Sequence, residues 1–112
     1  MSFLISLAHY QLILQDTKNR VNTEISNAWS KYQSSKSVLE ATRAQLKAAE
    51  IANEGITLEY DSGNTRTTLE LIQSRSLLLD ARIAFARSER DFMVSQFELS
   101  KKLGSLSINS IK

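Results

Sequence analysis

The 112-residue chain contains no cysteine, no proline and three glycines. Without cysteine there is no disulfide, no thiolate metal site and no cysteine nucleophile. Without proline, and with glycine at so few positions, the backbone has few places to turn. Few and long elements are therefore expected. Histidine occurs once. The nearest acidic residue along the chain from His9 is Asp16, a full heptad away. A metal or base site needs several converging groups, and none converge there. Basic blocks are missing too. Fourteen basic and twelve acidic side chains leave a net charge of +2, and the two signs are interspersed, as in Lys36, Glu40, Arg43, Lys47 and Glu50. That scatter gives no nucleic-acid footprint, even with a pI near 9.0. The length allows a single domain.

The start, MSFLISLAHYQLILQD, is apolar for about a dozen residues, where a membrane-spanning helix needs roughly 20. It has neither the positive opening nor the small-residue cleavage site of a secretory leader. It reads as a helix end that packs on something. The run Gly63-Asn64-Thr65-Arg66-Thr67 lacks the second glycine and the Gly-Lys-Ser/Thr ending of a phosphate loop. No serine or threonine has a histidine base at usable spacing. No enzyme, cofactor or metal is expected.

What is present is a seven-residue repeat. Ile25, Tyr32, Leu39, Leu46, Asn53 and Tyr60 form one row, and Val21, Ala28, Ser35, Thr42, Ala49 and Ile56 form its companion. This is the 3.5-residue period of helices that wrap around a partner. Helix A is expected from about residue 2 to residue 60. Further on, Leu71, Leu78, Phe85, Phe92 and Leu99 repeat at seven, with small companions Ser74, Ala81, Ser88 and Ser95. One large and one small residue per heptad lets helix axes approach closely. Helix B is expected over residues 68–103, ending at Gly104 with Lys101 and Lys102 facing the negative end of its dipole, and a short tail over 104–112.

The expected fold is all-α: one antiparallel coiled-coil hairpin of residues 1–112, with its turn at 61–67. Gly63 supplies the left-handed conformation at the end of helix A, and Asn64 tolerates it. Thr67-Thr68-Leu69-Glu70 matches a capping box. Gly55 stands inside helix A, where it costs about 1 kcal/mol relative to alanine unless close packing needs it. At about 1.5 Å per residue, helix A outruns helix B, so residues before about Asn22 project beyond it. Helix B also carries a second apolar stripe, Ile72, Leu79, Ala86 and Met93, with Leu69, Ile83 and Phe97 beside it. An arc that wide needs more than one neighbour, and association into a helical bundle follows.

Trp29 and Tyr32, three apart, read as packing residues rather than a platform for bases. The mixed charges around Glu40, Arg43, Lys47, Glu50 and Glu54 read as a solvated face.

From Ala48 to Leu106 the residues are similar to the C-terminal repeat of TolC-type outer-membrane efflux proteins. The matching elements are Glu54-Gly55, Tyr60, Gly63, Arg66-Thr67, Glu70-Leu71-Ile72, Leu79-Asp80-Ala81-Arg82, Asp91-Phe92-Met93-Val94-Ser95-Gln96 and Leu103-Gly104-Ser105-Leu106. Val21 to Tyr32, with Glu24, Ala28 and Trp29, fits the helix upstream. The chain departs from the pattern at three points. One extra residue separates Gly63 from Arg66, Glu70 replaces the commoner aspartate, and Gln73 stands where some members carry a second aspartate.

The resemblance implies a trimeric channel at the cell outer membrane for drug efflux or type I secretion. This chain would be part of its periplasmic α-barrel. It implies a gating tip of Tyr60, Arg66, Glu70 and Gln73, with Arg66 paired to an acidic group. It also implies an adaptor-docking turn of Gly63, Asn64, Thr65, Arg66 and Thr67. The partners implied are a periplasmic adaptor protein, an inner-membrane transporter and further copies of the chain. Family members carry two such repeats and membrane strands, so this single hairpin is expected to be a piece of such a protein. Alone it should self-associate as a dimer or another bundle. Two other readings stand beside this one. The first is a free-standing coiled-coil module that binds partner helices. The second, an amphipathic helix lying on a membrane, is weakened by the mixed charge of the polar face.

Overall fold

The computed structural model describes residues 2–63 and 66–111, with side chains as far as residue 108. It contains two helices, α1 (Ser2–Asp61) and α2 (Thr68–Ile111), in an antiparallel hairpin. No strand occurs among the described residues. Contacts divide the chain into two units. One is Ser34–Val94; the other combines Met1–Gln33 with Ser95–Lys112.

In the Ser34–Val94 unit the heptad rows meet as their spacing requires. Leu39 of α1 and Leu71, Leu78 and Ala81 of α2 are buried, and Thr42, Leu46, Ala49, Asn53 and Ile56 are half-buried in the same seam. Two small residues of α2, Ser74 and Ser88, are also buried. Each answers a polar residue across the seam. Ser74 Oγ donates to Asn53 Oδ1 at 3.1 Å, and the hydroxyls of Thr42 and Ser88 lie 2.6 Å apart. Placing asparagine and threonine in an apolar seam sacrifices transfer energy, but a satisfied pair is tolerated and fixes which heptad faces which. Arg43 lays its guanidinium 5.8 Å from the centre of the Phe85 ring, over the edge of the same seam.

In the other unit Ala28, Ser95 and Leu99 are buried and Val21, Ile25 and Tyr32 half-buried. Trp29 and Tyr32 stack at 5.7 Å, with Trp29 still half exposed. Two ion pairs link the helices, Lys102 to Glu24 at 3.3 Å and Lys31 to Glu98 at 3.9 Å. The apolar start of α1 is helical from Ser2 but open to solvent. Phe3, Leu4, Ile5 and Leu12 are each about two-thirds exposed or more. No described helix is long and apolar enough to cross a membrane.

One expectation needs correcting. Helix α2 does not end at Gly104 but continues to Ile111, so residues 104–111 are no tail. Glycine weakens a helix by about 1 kcal/mol without forcing it to stop. It stops a helix when it takes a left-handed conformation, and the one glycine that does so is Gly63, at φ 78°. Lys101 and Lys102 therefore sit inside α2, and Lys102 serves the cross-helix ion pair instead of the helix end.

Candidate functional site

The turn is built from local rules. The amide of Ser62 donates to the Leu58 carbonyl at 3.0 Å and that of Gly63 to the Tyr60 carbonyl at 3.1 Å, closing α1. Helix α2 opens with the full capping box. The Glu70 amide donates to Thr67 Oγ1 at 3.2 Å, and the Thr67 amide donates to Glu70 Oε2 at 2.9 Å. Glu70 also places negative charge in the first turn of α2, where the helix dipole favours it. Tyr60 and Thr68 join the two helix ends through their hydroxyls at 3.2 Å.

Arg66 sits between two carboxylates. Its Nε donates to Glu59 Oε2, and its Nη1 lies 4.0 Å from Glu70 Oε1. The hydrogen bond and charge of Glu59 raise the Arg66 pKa above its already high ordinary value, with a smaller contribution from Glu70. Arg66 therefore remains a cation throughout the physiological range. Three of the four sequence-selected tip residues thus form bonds within the turn: Tyr60 to Thr68, Arg66 to both acids, and Glu70 to Thr67.

Gln73 lies one turn further along α2. With Arg66, Glu70, Ala52, Ile56 and Leu77 it lines an open groove of about 460 Å³. Of the docking-turn residues, Gly63, Arg66 and Thr67 are exposed, while Asn64 and Thr65 lie outside the described residues. Sequence reasoning missed Glu59. Its signal was an acid seven residues before Arg66, on the far side of a turn whose closing geometry no spacing rule supplies.

The outward faces of this unit carry as much pattern as the inward ones. On α2, Leu69, Ile72, Leu79, Ile83 and Met93 are 43–68% exposed and follow a 3-4 spacing completed by Ser76, Ala86 and Arg90. On α1, Ser34, Ser37, Ala41, Ala44, Ala48, Ile51, Gly55 and Leu58 follow the same spacing, with Ile51 62% and Leu58 63% exposed. On a helical wheel each outer seam lies about 150° from the inner seam of its own helix. Each helix therefore presents apolar edges on nearly opposite sides.

The outer membrane efflux protein BepC of Brucella suis biovar 1 (strain 1330) is 28% identical to this chain over 94 residues. This chain is similar to an efflux protein. The aligned stretch covers 84% of the chain and 20% of BepC, so the chain spans about a fifth of the length of that relative. No family model matches the chain, and no solved structure does. The likeness is to an outer-membrane transport protein and not to an enzyme.

Proposed function

We propose that this hairpin is a wall segment of a trimeric outer-membrane duct for drug efflux or type I secretion. It forms part of the periplasmic α-barrel, with its turn at the closing end. The observation that carries the reading is the pair of opposed apolar seams on each helix. A bundle core needs one broad apolar side per helix. A wall one helix thick needs two narrow ones, with polar faces between them. The similarity to BepC supports the same reading.

In this role the Arg66–Glu59–Glu70 cluster is the latch. Each group is at least partly exposed, so the cluster can exchange partners with a neighbouring tip at little cost. Tyr60 and Gln73 supply neutral hydrogen-bonding groups beside it. The exposed surface of Gly63, Arg66 and Thr67 is where a periplasmic adaptor docks, and an inner-membrane transporter is the further partner in the assembly.

Single-channel recording of the full-length protein carrying this segment tests the latch. Arg66→Ala is expected to raise the conductance of the closed state. Unchanged conductance removes Arg66 from the gate. Absence of any channel activity in the parent protein overturns the duct and favours the free-standing coiled-coil module.

A further inference from the structure

Between residues 59 and 70 the chain holds three acids, Glu59, Asp61 and Glu70, and one base, Arg66. Glu70 is explained by the capping box. Its Oε2 accepts from the Thr67 amide, and it stands in the first turn of α2, where the dipole favours an acid. Glu59 has no such explanation. It stands in the last turn of α1, with Asp61 close behind and no basic residue in that turn. The negative end of a helix dipole disfavours an acid there. What Glu59 has is Arg66, which the turn carries back to it and whose Nε donates to its Oε2.

The guanidinium is thus held on two sides by its own hairpin, and unequally. Nε is hydrogen-bonded to Glu59, whereas Nη1 lies 4.0 Å from Glu70, too far for a hydrogen bond. Glu70 also divides its carboxylate between Arg66 and the Thr67 amide. Glu59 is therefore the principal holder of Arg66 within the chain. A carboxylate from a neighbouring tip would be a third acid at one cation, and like charges at that range repel. To take such a partner Arg66 must let one acid go. The cap fixes Glu70 in place, so the acid it leaves is Glu59.

We propose that Glu59 is a brake on the latch: it captures Arg66 within its own hairpin and so weakens the pairing of Arg66 with an acidic group on a neighbouring tip. The inference rests on the latch reading of Arg66 above and adds the residue that sets its strength. Arg66 is ready for an outside partner only while it is free of Glu59, and its apparent affinity for that partner falls by the same fraction. Both side chains are partly exposed, 39% for Arg66 and 47% for Glu59, so the brake is mild. An exposed ion pair sets the factor at no more than about fivefold.

Glu59→Gln keeps the size of the side chain and an accepting oxygen but removes the charge. Single-channel recording of the full-length protein carrying this segment reads how often the latch is undone, as the conductance of the closed state. Arg66→Ala is expected to raise it, and Glu59→Gln to lower it by up to about fivefold, with the Glu59 effect shrinking as salt is added. The double substitution is expected to match Arg66→Ala, because a brake has nothing to act on once Arg66 is gone. A rise in Glu59→Gln would mean that Glu59 positions Arg66 for its partner, and it overturns the brake. So does an unchanged conductance, or a double substitution that departs from Arg66→Ala. In each of these cases the latch stands as long as Arg66→Ala alone has its effect. A silent Arg66→Ala removes the latch, and the brake with it. Urea denaturation of the 112-residue chain separates a folding role. Glu59→Gln should leave the midpoint unchanged, since relief at the end of α1 offsets the lost ion pair. A clear drop in the midpoint would mean that Glu59 serves to hold the turn together, and overturns the proposal.

Discussion

In the Ser34–Val94 unit the helices are tied by side-chain hydrogen bonds that reach across a partly buried seam: Thr42 to Ser88 and Asn53 to Ser74. In the unit formed by Met1–Gln33 and Ser95–Lys112 two ion pairs also link the helices, Lys31 to Glu98 and Lys102 to Glu24. Both units use the same heptad rule. The first adds bonds that depend on one register. The second adds charges that water screens. A seam that must hold one alignment next to a turn gains from short, directional bonds. The second unit also leaves Phe3, Leu4, Ile5 and Leu12 each about two-thirds exposed or more.

The contrast can be broken or sharpened by substitution, read as urea midpoints of the helical circular dichroism signal. The largest effect is expected at Leu78, 7% exposed, where Leu78→Ala should cost about 2–4 kcal/mol. Leu4→Ala, at a side chain 67% exposed, should change stability by less than about 0.5 kcal/mol. Equal losses at the two sites would mean that the apolar start is buried in solution.

Next comes Thr42→Val, which removes a hydroxyl from the 2.6 Å pair and leaves Ser88 to its own helix carbonyl. A loss of about 1–2 kcal/mol is expected, and a neutral result would mean that the cross-seam bond fixes nothing. Thr67→Ala removes the α2 cap and should cost about 1 kcal/mol.

The smallest effect is expected for Lys102→Ala, below about 0.5 kcal/mol and diminishing with salt. Arg66 should add no pH dependence. Its pKa is raised in the folded state, so its contribution is fully present below its unfolded value and is lost only as pH rises through the folded one. Substituting Arg66 should therefore leave the shape of the stability profile between about pH 6 and pH 9 unaltered. A difference in slope across that window would show that another titrating group is coupled to it.

Much of this architecture is legible in the chain before folding is considered. The rows through Leu39 and Leu78 announce the inner seam, since hydrophobic period is a property of residue order. The Thr67–Glu70 box and Gly63 announce the turn, because capping and left-handed backbone are local chemistry. Gly104 misled for the same reason. A glycine is compatible with a helix end, and local composition does not reveal whether packing carries the helix past it. Glu59 escaped notice because its partnership with Arg66 forms across the turn.

The order of residues alone determined that there would be two helices, one corner and apolar edges too numerous for one hairpin to cover. Periodicity and local hydrogen bonding act within a few residues of each other and need no knowledge of the rest. Only the tertiary structure decided that Asn53 meets Ser74, that Thr42 meets Ser88, that Arg66 turns to Glu59 and that nothing in the chain fills the space beside Gly55. Those facts depend on how one helix slides along the other, and a seven-residue repeat is satisfied equally well at every slip of seven.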